Sequence, residues 1–105
     1  MLYNILNWFS LYTAAAGFVN MDEQQVPKSV ENCIVIPTND GSAVQYEDKI
    51  HTFNSTASEI FALCDGKRTV HEIIEYLQDR YPDEDIRTIV LDFLDRLRLS
   101  GLLVE

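Results

Sequence analysis

The chain has 105 residues, 47% hydrophobic and 24% charged, with 17 Asp+Glu against 8 Lys+Arg for a formal net charge of −9. This is the composition of one small folded domain, and its acidity weighs against duplex DNA or RNA as a partner, because affinity for phosphate backbones comes from Lys and Arg. The two cysteines, Cys33 and Cys64, stand far apart inside apolar patterns, which excludes a secreted disulfide framework and reads as reduced thiols in a cytoplasmic protein.

Every charged residue lies after Asn20. The leader MLYNILNWFSLYTAAAGFVN is interrupted by Asn4, Asn7, Ser10 and Thr13 and has no flanking cation, so it makes a poor membrane span and a poor secretory signal. Leu2, Ile5, Leu6, Phe9 and Tyr12 follow helical spacing. Residues 1–20 are therefore either a helix that docks on the domain, on a second copy or on a membrane surface, or an extension ahead of a native start at Met21. Residues 21–105 form the domain itself.

From Asn32 the run Cys33-Ile34-Val35-Ile36 predicts a strand ended by Pro37. Asp40-Gly41 is a hairpin dipeptide expected to supply a positive φ, and Ser42 to Glu47 alternates as a second strand. Glu47-Asp48 turns the chain again. Lys49-Ile50-His51-Thr52-Phe53 then reads as a short third strand with Lys49, His51 and Phe53 on one face. The period next changes to 3.6. Asn54-Ser55-Thr56 offers caps, Thr56 and Glu59 have capping-box spacing, and Ala57, Ile60, Phe61 and Cys64 form the stripe of a first helix stopped by Asp65-Gly66. Thr69-Val70-His71-Glu72 is a capping box for a second helix, with Val70, Ile73, Ile74, Leu77 and Tyr81 inward and Pro82 as its stop. Asp83-Glu84-Asp85 favours the start of a third helix, and Arg96 and Arg98 its end before Ser100-Gly101. The order β-β-β-α-α-α predicts an α+β, winged-helix-like domain.

Catalytic patterns are missing from the sequence. His71-Glu72-Ile73-Ile74-Glu75 lacks the second imidazole of H-E-x-x-H, the cysteines and histidines are too scattered for zinc, and Gly17, Gly41, Gly66 and Gly101 never cluster into a phosphate loop. No metal, cofactor or enzymatic activity is expected. A binding surface is what remains. A short third strand at the sheet rim leaves an edge to which another strand can add. On the third helix Arg87, Leu91, Leu94 and Arg98 recur at i, i+4, i+7 and i+11. They read in two ways: as a groove for the apolar and acidic side chains of an extended peptide, or as a broadened core stripe whose arginines pair with Asp92 and Asp95.

The residues from Phe53 to Ile73, FNSTASEIFALCDGKRTVHEI, resemble the signature L-N-x-T-A-x-x-I-x-x-L-C-D-G-x-R-T-V-x-E-I of the pyrroloquinoline quinone biosynthesis protein D family, the PqqD-like peptide chaperones or RiPP recognition elements. Val90-Leu91-Asp92-Phe93-Leu94-Asp95-Arg96-Leu97 with Gly101-Leu102-Leu103 is similar to the family's closing D-V-x-x-F-L-x-x-L-x-x-x-G-L-L. Phe53 replaces the usual leucine, and His51 an aliphatic or aromatic residue. The resemblance spans roughly residues 30 to 105 and implies a non-catalytic protein. Such a protein binds the leader of a ribosomally made precursor peptide as an added strand and delivers it to a modifying enzyme, often a radical S-adenosylmethionine protein. By position in the fold it implies contacts from Lys49, Ile50, His51, Thr52 and Phe53 on the strand and from Arg87, Leu91, Leu94 and Arg98 on the helix. Leu94→Asp is then expected to weaken binding and leave the fold intact. The competing classes are a winged-helix transcription regulator, opposed by Asp85, Asp92 and Asp95 among the arginines of the third helix, and a protein–protein adaptor that dimerises or touches a membrane through residues 1–20.

Overall fold

The computed structural model describes residues 22–104. Three strands, β1 (Ile34–Thr38), β2 (Gly41–Tyr46) and β3 (Lys49–Asn54), precede three helices, α1 (Ser55–Leu63), α2 (Val70–Arg80) and α3 (Ile86–Leu99). The sheet is an antiparallel meander in the order β1-β2-β3, as the alternation predicts, with two-residue turns that set Thr38 opposite Gly41 and Tyr46 opposite Lys49. The expectations for residues 1–20 fall outside the described residues.

One face of the sheet, through Ser42, Val44 and Phe53, meets the helices. Phe53 sits at the centre, with ring centroids 5.4 Å from Phe61 of α1 and 5.1 Å from Phe93 of α3, the latter edge-on, a geometry that suits the ring quadrupoles. Ala57, Ile60, Ile73, Leu77, Val90, Leu97 and Leu102 complete a core with almost no solvent contact. Its members recur at three- and four-residue intervals along each helix, so one stripe per helix is consumed.

The helix starts follow the side-chain chemistry, with one shift. Asn54, not Thr56, caps α1: its Oδ1 accepts from Ala57 N at 2.9 Å. Thr56 lies inside the helix, and Glu59, rather than closing a capping box, accepts from Tyr81 Oη at 2.7 Å and pairs with Arg80 at 2.8 Å. The capping box of α2 is formed as expected, Thr69 Oγ1 accepting from Glu72 N at 3.1 Å and Glu72 Oε1 from Thr69 N at 2.8 Å. Thr69→Ala is expected to cost about 1 kcal/mol, seen as a lowered urea midpoint with unchanged slope.

Residues 22–30 form a strap without helical or strand periodicity. The carbonyls of Gln25 and Glu23 accept from Val70 N and His71 N, both at 2.9 Å, and so satisfy donors that a helix start cannot pair for itself. Further along, Pro27 O accepts from Gly66 N, Ser29 N donates to Cys64 O, Val30 N to Leu102 O and Val104 N to Lys28 O. The strap thus stitches the α1–α2 turn to the end of the chain.

Gly41 has the positive φ expected of it, +159°, but not the expected place in the turn. It lies in β2 beyond the Asn39-Asp40 turn, and a Cβ there would collide with the Phe53 carbonyl oxygen. Glycine is required for close approach of β3, not for the turn itself.

Candidate functional site

The sheet has two free edges among the described residues, and they are chemically unequal. In a two-residue hairpin the residues flanking the turn exchange both main-chain hydrogen bonds, and such pairs then alternate along the ladder. On β3 the pairs Tyr46–Lys49, Val44–His51 and Ser42–Phe53 therefore face inward, leaving the N–H and C=O groups of Ile50 and Thr52 pointing away from β2. On β1 the outward positions are Val35 and Pro37. Proline has no N–H, so the β1 edge offers one donor where β3 offers two.

β3 runs beside one flank of α3. Ile89, Phe93 and Arg96, at i, i+4 and i+7, share that flank: Phe93 packs on Phe53, and Arg96 lies near enough to His51 to act on its charge. Burial first, then the Arg96 and Lys49 cations, hold the His51 imidazole below its ordinary pKa, so it is neutral at pH 7. Asp92, one turn before Arg96, is half-buried, and its carboxyl is raised by that burial and then by Asp95 and Asp85. The flank ends in a cavity of about 250 Å3 lined by Thr56, Tyr81, Glu84, Ile86 and Ile89. Ile50 is 71% exposed, Lys49 and Thr52 are exposed, and His51 is half-buried.

The helix half of the expected groove is not beside β3. Arg87 and Arg96 are nine residues apart, about two and a half turns of helix, which sets them on opposite sides of α3. Arg87 is ion-paired with Glu23 of the strap, whose other carboxylate oxygen lies 3.4 Å from His71 Nδ1 on α2. Arg98 is ion-paired with the buried Asp95, as the broadened-stripe reading has it. Leu91 is half-buried and packs on the core, and Leu94 has no accessible surface at all. Phe53 is also a core residue, 5% exposed, because its side chain points at the helices. Arg87, Leu91, Leu94 and Arg98 are thus corrected to the far side and interior of α3. Toward β3 the helix presents Phe93, which packs on Phe53, and Arg96, which acts on His51, a row with Ile89 that the leucine–arginine spacing does not select. Periodicity marks which face of a helix is buried but not which flank borders the sheet; the one available signal is the row Ile89-Phe93-Arg96 through an aromatic core residue.

Other chemistry is sparse among the described residues: no three His, Cys, Asp or Glu side chains group as a metal site, and no helix is long and apolar enough to cross a membrane. A three-stranded sheet with two unequal edges, backed by a helical triad, defines a small winged-helix-like α+β module. Residues 39–103 match the family described as Coenzyme PQQ synthesis protein D (PqqD), and the chain belongs to that family. Neither the curated proteins nor the solved structures provide a match.

Proposed function

We propose that the domain is a non-catalytic peptide-binding module that takes the leader of a ribosomally made precursor as a fourth strand on β3 and presents it to a modifying enzyme, a radical S-adenosylmethionine protein being the fitting class. The observation that carries this reading is the β3 edge: Ile50 and Thr52 direct both their donors and their acceptors outward, while Pro37 leaves the opposite edge one donor short. Strand addition draws affinity from such main-chain bonds and selectivity from side-chain pockets. Here the side chains at hand are Lys49 and His51 on β3, and Ile89, Asp92 and Arg96 on α3. Arg96 and Lys49 suit an acidic leader residue by charge-assisted hydrogen bonding, and the cavity at Ile89 suits an apolar one. Membership of a PQQ synthesis family supports a peptide ligand of this kind.

Calorimetric titration of the full chain against the leaders of short precursors encoded beside it tests the reading. Binding near the micromolar range, about −8 kcal/mol, is expected. Ile50→Pro removes an outward N–H that the β2–β3 ladder does not use, so it should weaken binding about tenfold or more, a loss of roughly one hydrogen bond's worth, with little change in urea midpoint. Arg87→Glu should leave affinity unaltered. A leader that binds equally well to Ile50→Pro, or that depends on Arg87, removes β3 as the site.

A further inference from the structure

Among the described residues β1 is only partly covered. Ile34, Val35 and Ile36 are 58%, 50% and 48% exposed, an unusual state for three consecutive β-branched apolar residues on an edge strand. Between β1 and α1 lies a cleft of about 350 Å3 walled by Cys33, Val35, Pro37, Phe61, Ala62 and Cys64. The charged group on its rim, Asp65, is ion-paired with Arg68. Such a cleft accepts an uncharged apolar occupant, and Pro37 means that the occupant is held by side chains more than by a ladder.

The chain supplies one. Residues 1–20 hold no charge and carry Leu2, Ile5, Leu6, Trp8, Phe9 and Tyr12 among them. Ser29 lines the cleft, the strap holds the chain from Glu23 onward, and the segment ahead of it can span some 65 Å when extended. The domain is no more than 32 Å across, so reach is ample, and the tether holds the segment at an effective concentration near the millimolar range. A second copy would bring another −9 charge to the same place, and an anionic membrane would repel the domain. We propose that residues 1–20 dock in cis over the cleft between β1 and α1 and shield its apolar wall.

Trp8 is the single tryptophan of the chain, so its fluorescence reports on the segment alone. In the full chain the emission should be blue-shifted and shielded from acrylamide, independently of protein concentration. Val35→Asp, at a half-exposed cleft position, should release it, and Tyr76→Asp on the exposed side of α2 should not. Thiol labelling gives a second reading that leaves the domain untouched. Cys64 is buried, with its thiol pushed up to about 12 by that burial and then by Asp65, so Cys33 is the reporting thiol. Trp8→Glu should speed Cys33 labelling about tenfold, as expected when a cover that is mostly closed is opened. Should Val35→Asp unfold the protein, the Cys33 rate decides. Trp8 as open to acrylamide as free tryptophan overturns the proposal. So does shielding that requires high protein concentration or anionic vesicles, which assigns the segment to a second copy or a membrane. Shielding that survives Val35→Asp in a folded protein, or a Cys33 rate indifferent to Trp8→Glu, overturns it equally.

Discussion

Leu94→Asp is expected to unfold the domain outright. Leu94 has no accessible surface and sits in the core with Val90, Leu97 and Leu102. Removing a buried leucine side chain costs about 2–5 kcal/mol through lost transfer and cavity terms, and an unpaired carboxylate in the same place adds several more or is forced to protonate. A domain of this size holds on the order of 5–10 kcal/mol in total, so the sum leaves no stable native state. Circular dichroism at pH 7 should show no cooperative urea transition. The folded-state pKa of such an aspartate would be raised above its unfolded value, so partial refolding should appear as the pH falls toward that raised value. Leu94→Met preserves volume and should cost less than about 1.5 kcal/mol. A folded Leu94→Asp protein that merely loses peptide binding would restore Leu94 to the groove and contradict the packing of α3.

Gly41→Ala should be the next most damaging single change. The added methyl meets the Phe53 carbonyl oxygen head-on, and backbone cannot step aside as a flexible side chain does. Relief requires β2 and β3 to separate where Gly41 pairs with Asn54, the residue that caps α1. One methyl therefore strains a ladder and a helix start together, at a cost of about 2–4 kcal/mol. Gly101 supplies the contrast. Its φ of +79° is the left-handed region, yet a Cβ there would meet nothing within 4 Å, so Gly101→Ala should cost only the conformational term of about 1–2 kcal/mol. Urea midpoints of the two variants, side by side, set backbone preference alone at Gly101 against backbone preference plus close approach at Gly41; equal losses would show that the strands absorb the methyl.

The element order is legible in the sequence because each element carries its own local chemistry. Period-two alternation marks β2 and β3, the Thr69–Glu72 box marks the start of α2, and Asp85 accepts from Thr88 at the start of α3. These signals act within a few residues. The role of Gly41 is not legible, since Asp-Gly reads as a turn whichever side of the turn the glycine occupies, and only the β3 register reveals the clash. Nor is the strap, whose hydrogen bonds to α2 are main-chain acceptances from residues 40 or more positions away and leave no side-chain pattern. On β3 the face of each residue follows from alternation: Lys49, His51 and Phe53 do share the face toward the helices. The helix half does not, because a stripe of leucines between arginines looks the same whether it widens a core or floors a groove. The partners of Arg87 and Arg98 are Glu23 and Asp95, and Glu23 lies 64 residues from Arg87 in sequence, beyond the reach of any local pattern.

The strap also fixes how short the protein can be made. A fragment trimmed to residues 39–103 keeps every residue that marks the family but discards β1 and the carbonyls of Glu23, Gln25 and Pro27. The first two donors of α2 and the Gly66 N–H would then be left to water or to nothing. Two strands would remain of three, with β2 turned into an unpaired edge. The smallest autonomous piece must therefore begin ahead of Glu23, well upstream of the homologous segment, and boundaries drawn from similarity alone would yield a fragment that expresses poorly for reasons unrelated to its ligand.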